Sequence, residues 1–318
     1  MGISKVVIAL GGNALQEPGT PATAEAQLDV VRRTCEHLAD INFKGYEMAI
    51  VHGNGPQVGR IALSQEIASK IDSGLPAMPI DVCGAMSQGY IGYQIQQCLR
   101  DAIRNRNRNV PVVTILTQVV VSEKDEAFKN PSKPIGPFFS EEEARALATE
   151  KGYVMKEDAG RGWRRMVASP APMWITELDS IKRLWDSTIV VTGGGGGIPV
   201  TENMDGSLKG VAAVVDKDLV AELLAEEIGV DFLLILTEVD RVCVNFNRPD
   251  QRELSHITVA EAIKYLNEGH FAPGSMLPKV TAAIKFARRF PGKKAIITSL
   301  FKAVDALEGR AGTVISMA

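Results

Sequence analysis

The sequence predicts an α/β protein, a three-layer αβα sandwich around a mainly parallel sheet with a small protruding lobe. Three observations predict it. Short apolar, β-branched runs alternate with amphipathic helical stripes, which is the rhythm of βαβ units. Three of those runs end directly in glycine loops, at Gly11-Gly12-Asn13, at Gly53-Asn54-Gly55 and at Gly193 to Gly197. Between residues 123 and 175 the rhythm stops, and five of the sixteen prolines (Pro131, Pro134, Pro137, Pro170, Pro172) lie there among dense charge.

Taken in order, Lys5 to Leu10 (KVVIAL) reads as a buried strand. Leu28, Val31, Cys35, Leu38 and Ile41 then form one helical stripe, with Gly45 as its C-terminal stop. Tyr46 to Val51 is the next strand, so the opening is a βαβ unit. Helices are expected over Val58 to Ile71 and Met86 to Arg104, and a single strand over Val112 to Val121. In the 123–175 stretch, Ser140-Glu141-Glu142-Glu143 reads as a capping box. Phe128, Phe138, Phe139, Tyr153, Trp163 and Trp174 are too many aromatics for a disordered linker. The second half resumes with a strand at Val211 to Val215, a helix at Leu219 to Ile228 and a strand at Phe232 to Leu236. A capped helix at Thr258-Val259-Ala260-Glu261, a helix at Val280 to Arg289 and strands at Ala295 to Thr298 and Thr313 to Ile315 complete it. No linker separates the halves, so residues 1–318 read as one domain with the 123–175 lobe, a lid, inserted in it.

Composition narrows the function classes. Of the 318 residues 45% are hydrophobic and 23% charged, with a net charge of −3, so nothing favours a nucleic-acid or membrane partner through long-range charge. The basic cluster Arg100, Arg104, Arg106 and Arg108 reads as a solvated helix end. Cys35, Cys83, Cys98 and Cys243 form no C-x-x-C pair, and His37, His52, His256 and His270 no H-x-x-x-H pair. No metal site is therefore expected, and a reducing cytoplasm is.

Five consecutive glycines at a strand end cannot continue the strand, but bare amides without a Cβ can approach an anion. A flexible linker is the blander reading of the same residues. None of the three loops matches the usual phosphate fingerprints. Charge sits beside them. In Asp216-Lys217-Asp218, Asp216 reads as an ordinary N-cap, whereas Lys217 is a cation at the helix end where the dipole disfavours it, which points to an anionic ligand. Lys279, in a first helical turn after Gly274-Ser275, is a second such cation. Lys133, held between Pro131 and Pro134, is a third with a restricted backbone. Three such lysines beside three glycine loops favour phosphoryl transfer, which needs positioning and charge neutralisation more than covalent chemistry.

The motifs Leu10-Gly11-Gly12-Asn13-Ala14, His52-Gly53-Asn54-Gly55-Pro56-Gln57, Ala127 to Phe138 (AFKNPSKPIGPF), Glu157 to Trp163, Asp216-Lys217-Asp218 and His270 to Lys279 resemble, in order, those of carbamate kinases of the amino acid kinase family. The NPSKPIGPF block separates the chain from acetylglutamate, aspartate and uridylate kinases. The resemblance implies reversible, Mg²⁺-dependent phosphoryl transfer between ATP/ADP and carbamate/carbamoyl phosphate, making ATP in arginine catabolism, by a cytoplasmic homodimer. It implies catalytic roles for Lys133, Lys217, Lys279 and Asp218. It implies that Gly11, Gly12, Asn13, Gly53, Asn54, Gly194, Gly195 and Gly196 surround carbamate and the transferred phosphoryl group. Thr237, Glu238, Val239 and Asp240, with Phe271, Ala272, Gly274, Ser275 and Met276, are implied to hold the nucleotide together with Lys217 and Lys279. Mg²⁺ is expected to ride on the nucleotide phosphates and water. The rivals are a family member acting on a larger acid or nucleotide, and a protein that binds nucleotide without catalysis.

Overall fold

A computed structural model describes residues 4–17, 19–158 and 160–317, with the side chain of Asn13 outside the described parts. Its central sheet has eight strands: β1 (Lys5–Leu10), β2 (Glu47–His52), β3 (Val112–Thr114), β4 (Ile189–Val191), β5 (Phe232–Thr237), β6 (His256–Thr258), β7 (Lys294–Ser299) and β8 (Thr313–Ser316). They lie in the order β6-β8-β7-β5-β1-β2-β4-β3. Every neighbouring pair is parallel except β7 with β8. The helices are α1 (Ala24–Phe43), α2 (Gly55–Ile71), α3 (Ile80–Asn105), α4 (Glu141–Lys151), α5 (Leu178–Leu184), α6 (Lys217–Ile228), α7 (Val259–Asn267), α8 (Met276–Arg289) and α9 (Ala303–Leu307).

The period-2 alternation of β1 divides its side chains between two cores. Val6, Ile8 and Leu10 meet α1, α3 and α9 on one face, while Val7 and Ala9 meet α6 and α8 on the other. Burial on both faces is why these strands read as unbroken apolar runs. The three-layer architecture expected from the sequence is thus present. Both expected capping boxes form, Ser140 with Glu143 and Thr258 with Glu261.

Outside the central sheet, Gln118–Val121, Pro172–Ile175, Ile198–Glu202 and Leu208–Gly210 make a four-stranded sheet. Lys133–Phe139, Val154–Glu157 and Trp163–Val167 make a three-stranded antiparallel sheet with α4, within the stretch read as a lobe. A short hairpin pairs Val242–Val244 with Arg252–Leu254.

Two expected strands are corrected. The Val112 to Val121 run is two strands in different sheets. The chain turns at Thr117, where the buried Gln88 side chain accepts from the Thr117 amide at 2.5 Å and donates to its carbonyl at 3.3 Å. The Gln88 side chain occupies the Thr117 amide while the Thr117 carbonyl also accepts from the Ile198 amide, and no local pattern reveals the contact with Gln88. Val211 to Val215 bends at Ala212, where the Ala213 amide donates back to the Val211 carbonyl, and forms only a single bridge, Ala213 to Ala168, as it passes from the four-stranded sheet to α6. The arginine cluster is also more than a solvated end. Arg106 bonds Glu36 at 2.7 Å and Asp40 at 2.7 Å, and Arg108 donates to the Asn42 and Phe43 carbonyls that close α1.

The Gly193–Gly197 run is buried and tightly packed. At Gly196, φ is +86° and an added Cβ would fall 2.1 Å from the Val215 carbonyl oxygen, so both conformation and space demand glycine. Gly196→Ala is expected to lower the unfolding free energy by about 3 kcal/mol. Urea denaturation of the variant beside the parent chain measures it.

Candidate phosphoryl-transfer site

The start of α6 organises the site. Asp216 caps the helix, its Oδ1 accepting the Asp218 amide at 2.9 Å, which puts Lys217 and Asp218 in the first turn. The apolar faces of α6 and α8 pack together in the core beneath the sheet, and this brings Lys279 of the first α8 turn alongside Asp218. Asp218 is buried, with Oδ1 accepting from Lys217 Nζ at 2.9 Å and Oδ2 from Lys279 Nζ at 2.9 Å. Lys133, at the first position of the lobe strand, donates to Asp216 Oδ2 at 2.5 Å. The three lysines inferred from sequence therefore converge on one pair of carboxylates.

Three ammonium groups facing two carboxylates leave a net positive charge in a largely dry setting. Burial by itself would raise the Asp218 carboxyl, but Lys217 and Lys279 outweigh it and hold the group below its ordinary range. Asp216 is likewise depressed, burial being overcome by Lys133 and Lys217. Burial works against the Lys217 ammonium, yet Asp218 and Asp216 raise its pKa above the usual lysine value. Lys279 is lowered, first by burial and then by repulsion from Lys217. An arriving phosphate would relieve that repulsion, so the cluster is electrostatically complementary to an anion.

Two clefts open beside this cluster. One of about 660 Å³ is walled by Gly11, Gly12, Lys217, Lys279, Gly274 and Ser275, and extends to α1 and Phe301. The second, about 520 Å³, shares Thr237, Glu238 and Ser275 with it and adds Val239, Ala272 and Met276. Those residues are the nucleotide set expected from sequence, with two exceptions. Asp240 is committed to Ser299 Oγ and Thr298 Oγ1, and Phe271 is buried in the core beneath. Arg241, Cys243, Phe246 and His270 also wall the second cleft and were not singled out. Cys243 and Phe246 carry little sequence signal because the 242–254 hairpin is too short for a periodic pattern.

The remaining expected residues gather one layer behind. Gly53 leaves room for the Lys217 stem, since an added Cβ would lie 3.3 Å from Lys217 Cδ. Asn54 is buried, donates to Ser87 Oγ at 2.8 Å and packs on Gly195, where an added Cβ would come 2.2 Å from Asn54 Nδ2. The amides of Gly196 and Gly197 return to Gly193 O, and the Gly193 amide donates to Thr117 Oγ1. Gly53, Asn54 and Gly194–Gly196 are thus assembled behind Lys217, and the walls of the two clefts do not include them. The backbone of Asn13 turns out of β1, and its side chain is outside the described parts.

Beside them, His52 is fully buried, with Nδ1 donating to the Gly53 carbonyl at 2.9 Å. Burial lowers its pKa to about 4, so the ring is neutral at physiological pH. A depressed base contributes stability that is present above its unfolded value and is lost as pH falls through the folded one. The His52 ring resonances in NMR are expected to titrate near pH 4, and the associated stability to decline between about pH 6.5 and 4.

The amino acid kinase family profile matches residues 4–299. A carbamate kinase of Clostridium perfringens is 55% identical over 312 residues, covering 98% of this chain and 99% of that protein. Among solved structures, a carbamate kinase from Giardia lamblia bound to citric acid superposes with a TM-score of 0.92 at 43% identity. The Giardia lamblia carbamate kinase bound to AMP-PNP gives 0.89 at 44% identity, and in each case 98% of both chains is covered. The chain belongs to the amino acid kinase family and, within it, to the carbamate kinases.

Proposed function

We propose that this protein transfers a phosphoryl group reversibly between ADP and carbamoyl phosphate, giving ATP and carbamate. The observation that carries the reading is the convergence of Lys133, Lys217 and Lys279 on the Asp216–Asp218 pair. A carbamate oxygen is already ionised near neutral pH, so the transfer needs no general base. In this reading Lys217 and Lys279 meet the charge that grows on the moving PO₃ unit, and Asp218 orients both. Lys133 reaches the site at Asp216, carried by residues 123–175 acting as a lid within one 1–318 domain. Gly11, Gly12, Asn13, Gly53, Asn54 and Gly194–Gly196 shape the carbamate end. Thr237, Glu238, Val239, Ala272, Gly274, Ser275 and Met276 hold the nucleotide, with Asp240 and Phe271 supporting them from outside the cleft.

Mg²⁺ fits this site as an ion carried by the nucleotide. All four oxygens of Asp216 and Asp218 are engaged by lysines or the Asp218 amide. Among the described residues no group of three or more His, Cys, Asp or Glu could hold a metal. When bound, the ion supplies charge neutralisation between the phosphates.

The acyl phosphate is the more energetic donor, which favours ATP formation; a place in arginine catabolism in the cytoplasm is what the resemblance to carbamate kinases implies. No helix among the described residues is long and apolar enough to cross a membrane. A homodimer is supported by an exposed stripe on α3, where Val82, Met86 and Tyr93 recur at helical spacing beside exposed Leu116.

A coupled assay with ADP, Mg²⁺ and carbamoyl phosphate tests the activity, and absence of ATP formation refutes it. Lys217→Ala and Lys133→Ala should each lower kcat by about 100-fold or more, while the ADP dissociation constant changes by less than about 5-fold. For the dimer, light scattering of Met86→Asp/Tyr93→Asp should give the mass of one chain where the parent gives two.

A further inference from the structure

The lobe rests on α2 over an apolar cluster of Val58, Ala62, Ile135 and Val167, flanked by two closer contacts spaced two helical turns apart. At the first, Gly59 lies directly under Gly136 of the lobe strand Lys133–Phe139. A Cβ on Gly59 would fall 2.0 Å from Gly136 Cα, so the two backbones touch. At the second, the mostly buried carboxylate of Glu66 receives three lobe donors: Lys151 Nζ from the end of α4, Tyr153 Oη, and Arg165 Nη1 at 3.2 Å. The Arg165 guanidinium also lies over the Tyr153 ring at 3.6 Å from its centre. Burial disfavours the Glu66 carboxylate, yet Lys151, Tyr153 and Arg165 together keep its pKa below the ordinary value. Tyr153 is pushed up to about 12, by burial and then by its bond to Glu66.

We propose that Glu66 is a positioning residue that latches the lobe to α2 and thereby aims Lys133 at the transfer site. The link is short. Arg165 stands opposite Ile135 in the lobe sheet, and Lys133 is two residues along that strand, opposite Val167. The same strand is pinned by Gly59 at Gly136 and reaches Asp216 at Lys133. A lobe released from Glu66 keeps its own sheet, but Lys133 loses its fixed approach to Asp216, and about 1 Å of misplacement is enough to slow a transfer substantially. This inference rests on the role proposed above for Lys133. If the Glu66 cluster only stabilised the fold, its loss would lower the melting temperature and leave the chemistry of the folded fraction intact.

The test is a double-mutant cycle on the full chain, with Glu66→Ala and Lys133→Ala singly and combined. Glu66→Gln serves as the milder variant in case the alanine form folds poorly. Glu66→Ala should lower kcat by about 10-fold or more and raise the KM for carbamoyl phosphate, with the KM for ADP unchanged within about 2-fold. In the Lys133→Ala background the same change should cost almost nothing further, because the residue through which Glu66 acts is gone. Full turnover in both Glu66 variants, or losses that multiply in the double variant, would overturn the latch while leaving the Lys133 role standing. Full turnover in Lys133→Ala would overturn that role and the latch with it.

Discussion

The bond pair on Asp218 is the constraint on which the site depends. One buried carboxylate accepts from two lysines on different helices, each at 2.9 Å. Buried charges cost free energy unless they are paired and hydrogen-bonded, so each member of this group constrains the others. Without Asp218, two ammonium groups would face each other in a dry interior. With it, they stay close together and still carry charge to spare. The anion-binding capacity is therefore inseparable from the packing of α6 against α8, which sets the separation of Lys217 and Lys279.

The topology of the sheet explains why the cluster faces a cleft. β1 and β5 are neighbours, but the chain leaves β1 toward β2 and leaves β5 toward β6 at the far edge, in opposite directions along the sheet. Loops that diverge in this way open a crevice at the strands' carboxyl ends, where ligands of α/β proteins bind. Gly11 and Gly12 after β1 and Thr237 and Glu238 at the end of β5 wall the 660 Å³ cleft. The hairpin at 242–254 and the loop before α8 extend it into the second, and the two share an edge at Thr237, Glu238 and Ser275.

The glycine-rich run has a packing basis that its composition alone does not reveal. Its residues are buried, and added Cβ atoms would collide with His52, Asn54, Val215 and Val119. Several of its amides are engaged within the turn and by Thr117. Close approach of four segments, the loops after β2 and β4, the turn at Thr117 and the approach to α6, accounts for these glycines directly. They set the floor against which Lys217 and its neighbours are placed.

Most of the architecture was legible in the residue order because helix and strand formation answer to neighbours a few places away. The stripe on α1, the two capping boxes and the apolar run of β1 are local signals, and the structure reproduces them. So is a cation in the first turn of α6 or α8, which marked Lys217 and Lys279. The split of the Val112 to Val121 run was not legible, because it depends on Gln88 reaching Thr117 from another helix. Asp216 shows the same division: its capping role follows from its place before α6, whereas its bond to Lys133 joins residues 83 apart. By itself the sequence determined the elements, their order and the chemical types available at the strand ends. Only the tertiary structure decided which of those groups meet, because that depends on how α2, α6, α8 and the lobe pack, and packing sums many weak contacts that no short stretch of chain contains.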